Sequence, residues 1–195
     1  MKIVDALVEQ CKEPNGLLGA VMLKTMEMMD AGLNKWAFKQ IDLTGGNILD
    51  IGCGGGKTIY ALSKMFPESK IFGIDFSEEA VKMAIRKNKH MVKEGRVLVQ
   101  QSSVSSMPFS DDFFHCITAI RTHYFWPNLK QDVQEVFRTL KKNGKLLIFS
   151  ELYKINYHME QYNTDASISE LLKETGFETV EIHRKDQCVC IIAKK

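Results

Sequence analysis

The sequence has 195 residues, 45% of them hydrophobic, and 13 glycines and 4 prolines. This length and composition fit one domain with a substantial core and leave no room for two domains of ordinary size. Lys and Arg number 26 and Asp and Glu 24, so the formal net charge is +2. A near-neutral chain without a basic stripe is not typical of DNA- or RNA-binding proteins, and we expect no nucleic-acid partner.

Cysteine usage and hydropathy predict the compartment. The chain has five cysteines, an odd count, and their spacing lacks the pairing of a secreted disulfide framework. The first residues include Asp5 and Glu9 and contain no long apolar core, unlike a signal peptide. No apolar run approaches the roughly 18 residues that span a bilayer. We therefore expect a cytoplasmic protein that has no membrane partner.

The N-terminal part of the chain, residues 1–44, is predicted to form a helical extension or cap. Residues 16–31 carry Met22 and Met26 on one apolar stripe, and Gly32 is expected to end this helix. A second short helix is expected at residues 35–40. Because methionine side chains repack around apolar ligands, Met22 and Met26 are candidates for substrate binding.

From residue 47 onward, strands and helices alternate. The predicted strands are residues 47–51, 70–74, 96–100, 115–120 and 145–150, and the predicted helices are 58–65, 78–93 and 132–140. Strands that alternate with helices in this way indicate βαβ units and a parallel sheet. The turn residues Asn143-Gly144 are expected to precede the fifth strand.

The C-terminal stretch departs from that alternation. Residues 167–170, Ser-Ile-Ser-Glu, form a capping-box pattern for a helix that ends at Gly176. Two strands are then predicted at 177–182 and 188–193, with five residues between them. So short a link indicates an antiparallel hairpin, because a parallel crossover needs about a dozen residues. We interpret residues 1–195 as a single domain whose core is residues 45–195.

A glycine-rich loop lies between the first strand and its helix, in the run Asp50-Ile51-Gly52-Cys53-Gly54-Gly55-Gly56-Lys57-Thr58. A phosphate-binding P-loop requires glycine where Ile51 stands. The dinucleotide fingerprint GxGxxG requires glycine where Lys57 stands. Both patterns fail by one residue. What fits is an acid followed by alternate glycines, Asp50-x-Gly52-x-Gly54-x-Gly56.

This spacing resembles the first motif of class I S-adenosylmethionine (SAM)-dependent methyltransferases, and the resemblance covers most of residues 45–150. Within that class, the sequence resembles small-molecule methyltransferases of the ubiquinone/menaquinone-biosynthesis type. The resemblance implies an α/β, Rossmann-like, seven-stranded and mostly parallel sheet flanked by helices. Its strand order is 3-2-1-4-5-7-6 and its strand 7 is antiparallel. It also implies SAM as cofactor and S-adenosylhomocysteine as product.

Two further segments match the family. Asp75 closes the second strand 23 residues after Gly52, where the family's acid binds the ribose hydroxyls and the next residue, here Phe76, packs near the adenine. The alternative is that Asp75 only caps the helix that follows. Residues 102–109 resemble the loop that contacts the adenine edge, with Ser103 where many relatives have Asp. The implied cofactor-binding residues are Asp50, Gly52, Cys53, Gly54, Asp75, Phe76, Ser103, Val104 and Ala119.

The segment after the fourth strand, Arg121-Thr122-His123-Tyr124-Phe125-Trp126-Pro127, should lie where open α/β sheets bind ligands. His123 is the candidate general base and Tyr124 the candidate orienting residue. Arg121 could bind an acidic substrate or the cofactor carboxylate. The alternatives are that His123 is structural and that the aromatic residues anchor the next helix. The candidate substrate-binding residues in the sheet domain are Arg121, Tyr124, Trp126, Glu151 and Tyr153.

The absence of certain motifs narrows the range of possible methyl acceptors. There is no [DN]-P-P-[YF] sequence after strand 4, as in enzymes acting on nucleic-acid amines or protein glutamine, and no Pro-Cys nucleophile. No residues have metal-ligand spacing, so we expect no metal. We predict methyl transfer to a small molecule, at O, N, S or C, by a monomer or homodimer. The alternatives are a protein that senses or sequesters SAM, and a nucleotide-dependent oxidoreductase, which the missing fingerprint glycine disfavours.

Overall fold

A computed structural model describes residues 31–41 and 45–195 of the chain. The helix predicted over residues 16–31, with Met22 and Met26, lies outside the described residues except for its last position. Within the described residues, no helix is long and apolar enough to cross a membrane.

The core of the fold is one seven-stranded sheet in the order β3-β2-β1-β4-β5-β7-β6. The pairs among the first five strands are parallel, whereas β7 runs antiparallel to both β5 and β6. This confirms the strand order and the antiparallel seventh strand that the family resemblance implies. The strands are β1 (Asn47–Ile51), β2 (Lys70–Asp75), β3 (Val97–Gln101), β4 (Phe114–Ile120), β5 (Leu140–Glu151), β6 (Thr179–Lys185) and β7 (Cys188–Lys194).

The helices connect these strands and cover both faces of the sheet. They are α1 (Ala31–Phe38), α2 (Lys57–Met65), α3 (Glu78–Lys87), α4 (Lys89–Lys93), α5 (Leu129–Thr139), α6 (Leu152–His158) and α7 (Asp165–Thr175), with a 3-10 turn at His123–Phe125. Neighbouring residues of a strand face opposite sides, so Leu49 belongs to one apolar layer and Ile48 to the other. Phe38 of α1 belongs to the second layer, and Trp36 packs edge-on against Phe149 at 6.2 Å.

The single helix predicted over residues 78–93 is wrong: Asn88 divides it into α3 and α4. The Asn88 amide Nδ2 donates to Ala84 O at 2.9 Å and to Gly56 O at 3.0 Å. A Cβ on Gly56 would lie 2.7 Å from the Ala84 Cα, so the start of α2 and the end of α3 approach very closely. The side chain of Asn88 joins these two backbones, and the helix is interrupted where it does so.

The prediction that Asn143-Gly144 precedes the fifth strand is also wrong, because β5 already begins at Leu140. The register between β4 and β5 shifts between Phe114 and Cys116, so the residues of the predicted turn form an irregularity within the pairing of these two strands. Asn143 has φ of 64°, and its backbone N donates to Lys195 O at 2.7 Å. Hydrogen bonds to the end of the chain thus keep these turn residues within the sheet.

Further boundaries differ from the sequence predictions, among them those of α1 (predicted at 35–40), α5 (predicted at 132–140) and β6 (predicted at 177–182). Helix α7 is capped by Thr164, whose Oγ1 accepts from Ser167 N at 3.2 Å, so the capping box lies three residues before the predicted one. Gly32 lies inside α1 and does not end a helix. Only two residues separate β6 from β7, and Asp186 there adopts φ of 54°, which suits a tight hairpin turn. Gly176 ends α7 as predicted, with φ of 119°.

Candidate active site

Asp75 joins the glycine-rich loop to the end of β2. Its Oδ2 accepts from Gly54 N at 2.8 Å, and its Oδ1 accepts from Ser77 N at 2.9 Å. Ser77 is the N-cap of α3, so the capping alternative for Asp75 is true in part. Each carboxylate oxygen has a second lone pair, and the carboxylate can therefore still accept from two ribose hydroxyls. Burial raises the pKa of Asp75, while the backbone hydrogen bonds from Ser77 and Gly54 oppose that rise.

Glycine is needed at positions 52 and 54 of the loop for different structural reasons. A Cβ on Gly52, whose φ is 66°, would lie 2.5 Å from the Thr122 Cγ2, so this glycine lets the loop pack against the end of β4. Thr122 Oγ1 in turn donates to Ile51 O at 3.0 Å. Gly54 adopts φ of 51° and presents its N–H to Asp75. Of the two, Gly54 is the glycine whose backbone conformation is tied to a candidate ligand-binding side chain.

Asp50 is buried under the loop, with 1% of its surface exposed. Its Oδ1 accepts from Thr118 Oγ1 at 2.8 Å, whereas its Oδ2 has no hydrogen-bond partner among the described residues. Burial raises the pKa of Asp50 to about 8; the Thr118 hydrogen bond opposes this rise and the charge of Asp75 adds to it. A buried polar atom that lacks a hydrogen-bond partner is costly unless a bound group supplies one.

The other predicted cofactor-binding residues differ in how accessible their side chains are. The side chains of Cys53, Val104 and Ala119 are buried in the core, so Cys53 would reach a ligand through its backbone. Phe76 is 59% exposed directly after Asp75, as a stacking surface would be. Ser103 Oγ accepts from Ser105 N at 3.1 Å within its own loop. The roles of these residues stay predictions.

Arg121 is held at the end of β4 by several partners. Its Nε donates to Glu151 Oε1 at 2.5 Å, its Nη1 donates to Asn34 Oδ1 at 2.6 Å, and its guanidinium carbon lies 4.9 Å from the centre of the Phe149 ring. The side chain is 11% exposed, and the backbone has φ of 60°, an unusual conformation for arginine. The guanidinium is thus engaged by Glu151 and Asn34.

Glu151 ends β5, and its neighbours lower the pKa of its carboxyl. Its Oε2 lies 3.3 Å from Lys154 Nζ. Burial alone would raise the pKa of Glu151, but the hydrogen bond and charge of Arg121, with the charge of Lys154, bring it below its usual value. Arg121 and Lys154 thus share the single carboxylate of Glu151 at the ends of β4 and β5.

His123 is buried at the base of the same region, with 2% of its surface exposed. Its Nδ1 lies 3.1 Å from Ser150 Oγ. Burial lowers the pKa of His123 to about 3, so the ring is neutral at pH 7. A neutral imidazole with so low a pKa accepts hydrogen bonds but is a poor proton acceptor at neutral pH. Its role as a general base stays a prediction, and its environment favours an orienting role.

Aromatic rings from the 3-10 turn and α6 form a cluster next to His123. This aromatic cluster consists of Tyr124, Phe125, Tyr157 and His158. The Tyr124 ring stacks on His158 at 5.1 Å with an interplanar angle of 7°, and Phe125 packs edge-on against both. Tyr157 is 63% exposed, as is Tyr153 one turn before it on α6. An exposed aromatic surface therefore adjoins the buried His123.

Trp126 lies at the edge of this region. Both Trp126 and Phe125 pack against the main core cluster, which fits the alternative that they anchor the following helix. The indole Nε1 of Trp126 is buried and has no hydrogen-bond partner among the described residues. The packing and the unpartnered N–H are compatible, so the structure leaves Trp126 a candidate for substrate binding.

Sequence reasoning missed Ser150 and Asn34. Ser150 could have been found, because it lies at the carboxyl end of β5, where ligands bind in such sheets. Asn34 gave no signal, since its contact with Arg121 joins residues 87 positions apart. In the part of the chain that the structure describes, no group of three or more His, Cys, Asp or Glu side chains could hold a metal ion.

Comparisons with known proteins agree with this architecture. A family model described as "Methyltransferase domain" matches residues 48–144. A Bacillus subtilis protein named "Uncharacterized methyltransferase YdaC" is 27% identical over 169 residues, which cover 84% of this chain and 91% of that protein. The ubiquinone/menaquinone biosynthesis C-methyltransferase UbiE of Geotalea daltonii is 32% identical over 138 residues, which cover 67% of this chain but 59% of UbiE.

Solved structures share the fold. The crystal structure of a SAM-dependent methyltransferase from Aquifex aeolicus matches with a TM-score of 0.71 and 21% identity over 89% of this chain and 97% of that one. A phosphoethanolamine N-methyltransferase of Haemonchus contortus, in complex with S-adenosylmethionine, matches with a TM-score of 0.67 and 21% identity. That match covers 78% of this chain and 38% of the enzyme. Identities this low show a common fold.

Proposed function

Because the chain belongs to the class I SAM-dependent methyltransferases, we propose that it methylates a small acceptor molecule bound at the ends of β4 and β5. The observation that carries this proposal is the Asp75 carboxylate, which bridges Gly54 N and Ser77 N at 2.8 and 2.9 Å and keeps lone pairs for ribose hydroxyls. Asp75 ends β2 and therefore lies at the carboxyl edge of the sheet, one strand away from the point between β1 and β4 where the strand order reverses.

The residues around the glycine-rich loop fit SAM. The carboxyl of Asp50, which keeps its proton below about pH 8 and whose Oδ2 has no partner among the described residues, can form a hydrogen bond to a polar group of the ligand. Asp75 would hold the ribose, and the exposed Phe76 ring would pack on the adenine. When bound, SAM supplies a methyl group activated by the sulfonium. The contribution of the protein is to hold the groups and exclude water.

The acceptor is, in this proposal, an uncharged molecule with an aromatic or flat apolar part. The exposed aromatic rings of α6, Tyr153 and Tyr157, support this because they offer large apolar faces with polar edges. The engagement of Arg121 by Glu151 and Asn34 argues against an acidic acceptor. A carboxylate bound to Arg121 would compete with Glu151 for the same guanidinium.

Positioning is the main catalytic task of the protein at this site. The neutral His123 ring, with its pKa lowered to about 3 by burial, can accept a hydrogen bond from an acceptor O–H or N–H and direct a lone pair of the acceptor. Tyr124 packs edge-on against His123 at 5.4 Å and limits how that ring can turn. The aromatic cluster covers this region and lowers its water content.

Location and assembly belong to the same proposal. The odd number of cysteines and the near-neutral charge support a cytoplasmic protein that acts on metabolites rather than on nucleic acids. We propose a monomer or a homodimer, in which each chain carries its own complete site.

Transfer of a labelled methyl group tests the function. The purified full-length protein is incubated with methyl-labelled SAM and with separated small-molecule, RNA and protein fractions of a bacterial extract. The expected result is formation of S-adenosylhomocysteine with label in the small-molecule fraction, and its loss in Asp75→Ala. Label in the RNA or protein fraction, or no product with any fraction, would contradict the proposal.

A further inference from the structure

Ser150 is fully buried near the end of β5 and contacts two polar atoms. Its Oγ lies 2.8 Å from Phe149 O and 3.1 Å from His123 Nδ1. A serine hydroxyl has one proton to donate, and a carbonyl oxygen can only accept. Since the shorter contact is to the carbonyl, the hydroxyl donates to Phe149 O, and the Oγ accepts from His123 Nδ1. Phe149 O uses its other lone pair to accept from Arg121 N at 2.7 Å.

This arrangement decides which nitrogen of the His123 ring carries the proton. The ring is neutral, because burial keeps its pKa at about 3, and a neutral imidazole has only one N–H. With the proton on Nδ1, Nε2 carries a lone pair on the side of the ring that points away from Ser150. Nε2 has no hydrogen-bond partner among the described residues, and it is not one of their fully buried unpartnered atoms. The small exposed surface of His123 therefore includes Nε2.

We propose that Ser150 is a positioning residue that holds His123 as the Nδ1–H tautomer, so that Nε2 accepts a hydrogen bond from an O–H or N–H of the methyl acceptor. This inference rests on the proposed function and specifies the chemical class of the methyl acceptor. The acceptor carries a hydroxyl or an amine proton next to the methylated atom. A thioether or an acceptor without such a proton leaves Nε2 unpartnered in a buried site, which costs binding energy.

The tautomer can be measured directly in the full-length protein. Histidine labelled with 15N gives two-bond 1H–15N correlations that distinguish a protonated ring nitrogen from an unprotonated one, and His123→Gln identifies the signals of His123. At pH 7.5 we expect Nδ1 protonated and Nε2 unprotonated in the wild type and in Ser150→Thr, which keeps the hydroxyl. In Ser150→Ala we expect the proton to move in part or wholly to Nε2. The proposal is overturned if the wild-type His123 ring is protonated on Nε2. It is also overturned if the His123 ring of Ser150→Ala has the same protonation as the wild type.

The acceptor class is tested with phenol and anisole, which differ in that only phenol carries an O–H. Each is added at millimolar concentration to the protein saturated with S-adenosylhomocysteine. Phenol should shift the Nε2 signal in the direction of an accepted hydrogen bond, whereas anisole should leave it unchanged. No shift with phenol, or equal shifts with both, overturns the acceptor part of the proposal.

The role of Ser150 and the proposed function are refuted by different results. The tautomer is read without turnover, so a protein that transfers methyl groups but holds Nε2–H refutes only the role of Ser150. A protein that holds Nδ1–H but transfers no methyl group to any fraction refutes the proposed function. If both hold, Ser150→Ala should lower kcat at least tenfold with the KM for SAM unchanged, and Ser150→Thr should restore most of it.

Discussion

Arg121 Nη1 donates a hydrogen bond to Asn34 Oδ1 at 2.6 Å, and this contact joins α1 to the end of β4. The same guanidinium binds Glu151 at the end of β5. One side chain thus connects α1 with the two strands that border the proposed acceptor site. We expect the attachment of α1 to depend on this contact, together with the packing of Trp36 and Phe38.

Asn34→Ala should therefore loosen α1 without unfolding the sheet. A hydrogen bond to a charged group contributes about 1.5–3 kcal/mol, so amide exchange in residues 33–39 should accelerate by roughly tenfold or more. Hydrogen exchange with mass spectrometry measures this. Lys39→Ala, an exposed change at the end of the same helix, is the control and should leave the exchange unchanged. Equal protection of α1 in both variants would contradict the role of Asn34.

Asp75→Ala should weaken SAM binding by roughly 1.5–3 kcal/mol, the range for hydrogen bonds to a charged group. It should also cost about 1–2 kcal/mol of stability, because Gly54 N and Ser77 N lose their acceptor. Titration calorimetry measures the first effect and denaturant unfolding the second. Glu78→Ala, which removes an exposed acid from the first turn of α3, should leave the affinity within twofold of the wild type. Unchanged affinity in folded Asp75→Ala would refute ribose binding by Asp75.

Gly54→Val should abolish measurable SAM binding and leave the sheet folded, because the side chain would stand where the loop backbone approaches the ligand. Its positive φ of 51° adds a strain of about 1–2 kcal/mol. Gly95→Val is the matched control, since Gly95 also has a positive φ, of 72°, but a Cβ there meets nothing within 4 Å. It should show similar strain and normal binding. Equal SAM affinities in the two variants would contradict the assignment of the loop.

The buried Asp50 predicts a fall in stability with rising pH. Its pKa is raised from 3.8 to about 8 in the folded protein, so between these values the folded state holds a proton that the unfolded state has lost. Stability therefore decreases as the pH rises through this window, by at most about 1.4 kcal/mol per pH unit. His123, whose pKa is lowered from 6.5 to about 3, has the opposite slope between those values. The effect of Asp50 should thus be clearest between pH 6.5 and 8.

Asp50→Asn removes this proton and tests the prediction. We expect the variant to be more stable than the wild type by about 1–3 kcal/mol at pH 8 and to lack the decline between pH 6.5 and 8. Denaturant unfolding at pH 6.5, 7.2 and 8 measures both. Asp112→Asn is the control, because that carboxylate lies at the surface. Parallel profiles for wild type and Asp50→Asn would show that Asp50 does not hold a proton in the folded protein.

The sheet could be predicted well because strands and turns are indicated by residues close together in the sequence. Strand β1 begins and ends where the apolar run 47–51 places it, and the hairpin follows from the short link before Cys188. The break at Asn88 escaped prediction because it depends on a carbonyl 32 residues away. The same limit applies to the site. Its residues follow from motif positions, but the engagement of Arg121 and the low pKa of His123 arise from neighbours distant in sequence.

The contact between Gly52 and Thr122 has a consequence for exchanging acceptor loops between relatives. Thr122 belongs to the acceptor side of the cleft, yet its side chain fills the space that a Cβ on Gly52 would need and binds Ile51 O. A transplanted segment that starts at residue 123 keeps the contacts of Thr122 with Gly52 and Ile51. A segment that starts at residue 122 replaces Thr122 and can lose them. Chimeras cut after Thr122 should therefore inherit a new acceptor preference together with the original affinity for SAM.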